Sequence, residues 1–182
     1  MSFNLDKGMN LLEFGNMLFA SHERIAEENG KKDFCLEVLV NEHPYFAFAI
    51  LSIVLELFGK VLSLDTSTNI HAIRAPKQNF LHPFQDKTLF SQAVNPLSKY
   101  IYFEDLFKSL RCGFCHALMP DTGLVLSSGS NKFNEEDGSL SVVGCKSLYS
   151  DMKVFWEELK TKCQNKLQSM KAINVELNDN VV

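Results

Sequence analysis

The segment Leu110-Arg111-Cys112-Gly113-Phe114-Cys115-His116-Ala117-Leu118 carries two chemical signatures that overlap within nine residues, Arg-x4-His and Cys-x2-Cys-His. Each requires different surroundings. A thioredoxin-like redox pair sits where a strand turns into a helix N-terminus, so that the dipole stabilises a thiolate. An Arg/His pair for phosphate chemistry needs a groove instead. Upstream, Leu106, Leu110, Phe114 and Leu118 recur every four residues, with Phe103 and Phe107 alongside, until Pro120 stops the pattern. This spacing predicts one helix running through the whole segment.

Inside a helix the cysteines read as small, partly buried hydrophobes, reduced and unligated. Haem attachment through Cys-x2-Cys-His belongs to exported proteins, and the start Met-Ser-Phe-Asn-Leu-Asp-Lys-Gly has no export signal pattern. Zinc would need two further ligands, with Cys145 or Cys163 brought from afar. No metal and no cofactor is therefore expected. Five cysteines, scattered and odd in number, point to a reducing, cytoplasmic setting.

The flanking sequence sets the fold class. Leu11, Phe14, Leu18 and Ile25 on one face predict an amphipathic helix over 5–29, stopped by Gly30, and 34–40 leans to helix. From Pro44 the run Tyr-Phe-Ala-Phe-Ala-Ile-Leu-Ser-Ile-Val-Leu has no charge before Glu56. Lys60 follows four residues later, in the favourable order for a helical ion pair. A membrane span needs about 20 mostly uncharged residues. With two charges interrupting it, this stretch is expected to be the central core helix, with no membrane partner.

Residues 65–95 read as a long irregular connection punctuated by Ala-Pro, His-Pro and Asn-Pro, with a short helix only over 86–93; it is either a functional lid or binding loop or an irregular segment packed by Ile70, Ile73, Phe80, Leu81 and Phe84, and of His71, Arg74 and His82 within it the two histidines read as solvated loop residues. A long-looped β-hairpin is expected over 123–143, from Leu124-Val125-Leu126 and Leu140-Ser141-Val142. A last helix over 148–173 presents Leu148, Met152, Phe155, Leu159, Cys163, Leu167 and Met170 on one face, and 174–182 is a frayed tail. With 182 residues and 46% hydrophobic content, the chain reads as one mainly α domain over 1–182. A chain of this size buries roughly 70% of the surface its unfolded form exposes. A net charge of −4 excludes a protein that grips nucleic acid chiefly by phosphate neutralisation, so any such role must be local.

The Arg-x4-His reading suits phosphodiester chemistry. An arginine fork binds phosphate in its plane, and a histidine exchanges protons near neutral pH. On an α-helix, however, Arg111 and His116 stand about 140° apart, so a second surface would be needed to enclose a phosphate between them. Equally, Arg111 could simply pair with an acidic surface residue, and His116 could be an ordinary hydrogen-bonded helix residue.

The string Arg111, Gly113, Phe114 and His116, set late in a helical chain with one more long helix after it, resembles the Arg-x4-6-His motif of the HEPN superfamily, the helical domain of many prokaryotic ribonuclease toxins and defence proteins. The resemblance implies an up-and-down helical bundle with a small β-hairpin insertion before the last long helix. It also implies a homodimer and a metal-independent endoribonuclease site built from Arg111 and His116. Cys112 stands where active members commonly carry a polar residue. The family also holds non-catalytic members that bind RNA, a nucleotide or a partner protein, and both classes of function remain open at this point.

Overall fold

The computed structural model describes residues 9–20, 36–63, 76–100, 103–114 and 125–170, with the side chains of residues 103 and 112–114 left aside. The described chain is mostly helical with one small three-stranded sheet. Its helices are α1 (Leu11–Leu18), α2 (Leu36–Glu42), α3 (Pro44–Ser63), α4 (Pro76–Gln85), α5 (Phe103–Leu106), α6 (Cys145–Lys162) and α7 (Gln164–Ser169). A π-helical segment, Phe107–Phe114, continues α5, and the strands are β1 (Val125–Ser127), β2 (Lys132–Phe133) and β3 (Leu140–Gly144).

Helix α3 is the centre, as its composition predicts. Pro44 occupies the first turn, where a missing N–H costs nothing. Ala47, Phe48, Leu51, Leu55 and Phe58 are buried, and α2, α4, α6 and the π segment all pack against the helix. Its length and hydropathy would also suffice to cross a membrane, but half of the stretch is buried inside the protein. Tyr45, Phe46 and Ile53 remain exposed on it.

Two aromatic groups flank α3. Phe58 stacks with Phe155 at 5.3 Å, Phe19 at 6.1 Å and Trp156 at 6.2 Å between ring centroids. On the other flank Phe80 meets Phe84 at 5.7 Å and Phe107 at 5.3 Å, and Phe84 meets Tyr100 at 6.0 Å. Such ring pairs stabilise by about 0.5–1.5 kcal/mol beyond the area they bury. Through Phe107 the second group docks the π segment onto α4.

The region read as an irregular loop contains a ten-residue helix, α4, while 86–100 consists of turns in place of the expected helix at 86–93. Neither of its prolines stops the helix. Pro76 starts the first turn. Pro83 falls in the last turn, where it has no N–H to offer the carbonyl of Asn79 and its ring crowds that carbonyl. The Asn79 carbonyl lies against Gly59 of α3, so closely that a Cβ on Gly59 would come within 1.7 Å of its oxygen. Asn95 then closes the end of α4, its Nδ2 donating to the carbonyls of Pro83 at 2.8 Å and Asp86 at 3.0 Å. His82 lies within α4, where its Nδ1 shares a 2.8 Å hydrogen bond with Ser63, whereas residues 71 and 74 are outside the described set.

Three further expectations change. The first helix begins at a capping box, with Glu13 N–H donating to Asn10 Oδ1 and Asn10 N–H to Glu13 Oε2. It ends at Leu18, well before Gly30, because Phe19 leaves helical geometry to place its ring among Phe58, Tyr149 and Trp156. The hairpin is formed by β2 and β3, whereas β1 pairs with β3 in parallel, in the order β1-β3-β2. The chain crosses the end of β3 at Gly129–Asn131, and a Cβ on Gly144 would lie 2.3 Å from the Gly129 oxygen. The last helix starts at Cys145 and breaks at Cys163, with Leu148, Met152, Phe155 and Leu159 buried on the predicted face. The tail over 174–182 lies outside the described residues.

The α3–α4 contact gives a direct test. Gly59→Ala must push the Asn79 backbone away, and we expect a loss of about 3 kcal/mol or more, at the upper end of overpacking effects. Urea denaturation would measure it. An unchanged midpoint would show that the two helices are not this close.

Candidate functional site

Arg111 lies in the π segment, and its Nε donates to Glu56 Oε2 of α3 at 2.9 Å. Lys60 approaches the other carboxylate oxygen of Glu56 at 3.2 Å. The side chains of Arg111, Lys60 and Glu56 keep 26, 22 and 13% of their exposure, so the cluster sits at the margin of the core and still reaches solvent. Glu56 and Lys60 are the only charged residues in α3. A carboxylate this sheltered needs paired cations to offset the loss of hydration.

The sequence-derived pair is thus only half placed. Arg111 is in position and paired with an acid, one of the two arrangements weighed for it, although that acid comes from the core helix and not from an exposed surface. His116 and Cys115 lie outside the described residues, as does anything the structure could say of the Cys112 side chain. The expectation of one regular helix through the motif is corrected: α5 gives way at Phe107 to π winding, with hydrogen bonds closing over five residues instead of four. A divergence of about 140° between residues five apart is a property of α winding, and it does not describe the segment that carries Arg111.

The sequence reading singled out Glu56 and Lys60 only for their mutual spacing. The signal that could have tied them to Arg111 was present: two charges in an otherwise apolar core helix require partners, and Arg111 is the one permanently charged residue in Leu110–Leu118.

A second polar network is complete in itself. Tyr100 O–H donates to Asp151 Oδ2 at 2.6 Å, Lys99 Nζ contacts Oδ1 at 2.8 Å, and Asn131 Nδ2 donates to the Tyr100 oxygen at 3.1 Å. Asn131 Oδ1 accepts from the Gly144 N–H at 2.8 Å. Burial, and then the neighbouring Asp151 charge, hold the Tyr100 phenol protonated well above its usual range. This network ties the turns at 95–100 to the sheet and to α6.

Among the described residues no three His, Cys, Asp or Glu side chains gather as a metal site. Cys145 and Cys163 are free thiols. Cys145 is buried and its Sγ–H donates to the Pro44 carbonyl at 3.4 Å. Burial pushes its pKa up to about 12, and burial also raises that of the half-buried Cys163. The thiolate is the reactive form. At pH 8 we expect a thiol reagent to modify Cys163 slowly and Cys145 only on unfolding, as site-resolved mass spectrometry would read. Because the folded state favours the neutral thiol, stability contributed at Cys145 is full below the ordinary thiol range and is lost as pH rises toward about 12. Fast labelling of Cys145 in the native protein would contradict its placement.

No family model, no curated protein and no solved structure matches this chain, so its function is argued from the geometry around Arg111.

Proposed function

We propose that this chain is a HEPN-like helical module that binds the phosphates of RNA at Arg111, acts as a homodimer, and does so without turnover. The observation that carries the reading is the fixing of Arg111: a part-exposed guanidinium held through Nε by a carboxylate on the most deeply packed helix. A phosphate-binding arginine works best when its plane is set before the ligand arrives. Engagement of Arg111 in an ion cluster also favours binding over catalysis, because a guanidinium already committed to a carboxylate is a support more than a mobile electrophile. At −4 overall, a single copy offers little positive potential, and a two-fold that brings two Arg111 side chains into one groove would concentrate it.

A second reading, metal-independent RNA cleavage by Arg111 and His116, is favoured by one observation. Arg111 sits on a π-helical turn, a rare winding found disproportionately at functional sites. In that reading the ribose 2′-oxygen attacks the adjacent phosphorus and the P–O bond to the 5′-oxygen breaks, leaving a 2′,3′-cyclic phosphate and a 5′-hydroxyl; His116 takes the 2′ proton as general base or gives a proton to the departing 5′-oxygen as general acid, and Arg111 stabilises the charge that develops on the phosphate.

A fluorescent single-stranded RNA, incubated with the protein in the presence of chelator, separates the two. For the binding module we expect a rise in anisotropy with the RNA intact, affinity falling with salt, and a loss of roughly tenfold or more for Arg111→Ala. Cleavage that drops by about 10²-fold in His116→Ala establishes the enzyme instead. A wild-type protein that neither binds nor cuts, or that sediments strictly as a monomer while binding, refutes the corresponding part of the proposal.

A further inference from the structure

A carboxylate of the core helix meets the arginine of the motif. Glu56 accepts from Arg111 at 2.9 Å with one carboxylate oxygen and from Lys60 at 3.2 Å with the other. A hydrogen bond to Nε lies in the plane of the guanidinium, so it sets the rotation of that plane, and with it the direction in which the fork meets a phosphate. Glu56 is itself doubly constrained. Its backbone belongs to a helix held by buried Leu55 and Phe58 on either side in sequence and by Gly59 against the Asn79 carbonyl. Its side chain is tied to Lys60 one turn on, in the stabilising Glu-to-Lys order.

We infer that Glu56 is a positioning residue for Arg111 and that Lys60 holds Glu56 in that role, so that the core helix presents the guanidinium to an RNA phosphate. The inference takes its ligand from the RNA-binding reading above. Precise sites are built this way, with an orienting group on a rigid element behind the residue that touches the ligand. The alternative role for a carboxylate beside a phosphate-binding arginine is competition, in which Glu56 occupies Arg111 until an anion displaces it. The two roles differ in sign. Removing a carboxylate strengthens anion binding by simple electrostatics and by relief of competition, whereas only the loss of positioning weakens it.

Labelled single-stranded RNA and two variants make the test. Glu56→Gln removes the charge with little change of shape, and Glu56→Asp keeps the charge but withdraws it by one methylene, leaving the net charge of the protein unchanged. We expect both to weaken binding, by roughly fivefold or more, the scale of one well-placed polar interaction. In an Arg111→Ala background Glu56→Gln should then have no further effect, because it acts through the arginine. Tighter binding by Glu56→Gln, or losses that add across the two sites, would overturn the inference.

The chain has three arginines, Arg24, Arg74 and Arg111, so the Nε–H signals in a nitrogen-correlated NMR spectrum are few and Arg111 is assigned by its loss in Arg111→Lys. Exchange of the Arg111 Nε–H with solvent should be slow in the wild type, faster in Lys60→Met and fastest in Glu56→Gln. If the wild type fails to bind RNA, the functional reading falls while this exchange series still decides the positioning. Identical exchange in all three proteins overturns it.

Discussion

Helix α3 carries only two charges in twenty residues, and four other described elements are placed by how its buried side is covered. Its apolar perimeter is too wide for one partner, so α2, α4, α6 and the π segment share it. The closest approach is made at Gly59, where the missing Cβ admits the Asn79 carbonyl. That carbonyl is available because Pro83 has no N–H to return to it, so a helix-breaking residue in α4 and a helix-weakening residue in α3 are two halves of one contact. The aromatic side chains on both flanks then fill what the helices leave. Phe58 stacks toward α6, and Phe80 reaches toward the segment that bears Arg111.

The same helix explains the charge cluster. A carboxylate placed on a core helix is tolerated only where it can be paired, and Glu56 stands at the rim, where the π segment comes alongside. The arginine of the motif is therefore supported by packing that has nothing to do with ligand binding. Stability and site geometry are coupled here, since whatever shifts α3 shifts the carboxylate that holds Arg111. The Tyr100–Asp151–Asn131 network joins the turns at 95–100 and the sheet to α6.

Much of the helical architecture was legible in the sequence, because burial imposes period. The strip of Leu148, Met152, Phe155 and Leu159 can be buried in only one way and is found as read, and the uncharged run after Pro44 is the core helix, with Tyr45, Phe46 and Ile53 left exposed on it. Where the reading failed, a local signal was overruled by a distant contact. Phe19 ends α1 because three aromatic rings from α3 and α6 await it. The strand at Lys132–Phe133 lies within the expected long loop of the hairpin, and β1 joins β3 in parallel, because the chain crosses at a glycine whose role is visible only once the neighbouring backbone is present.

By itself, then, the sequence pointed to a mainly helical chain, to the helix that starts at Pro44 as its core, and to Arg111 and His116 as a candidate pair in Leu110–Leu118. Each of these is a matter of residue type and spacing along one segment. Only the tertiary structure decided the winding around Arg111 and the identity of its partner. A four-residue recurrence such as Leu106 and Leu110 keeps one face buried in an α-helix or in a wider π-helix, so period alone does not separate them. The partner, Glu56, lies 55 positions away, and a contact over that distance exists only after α3 and the π segment have been packed side by side by groups other than the pair itself.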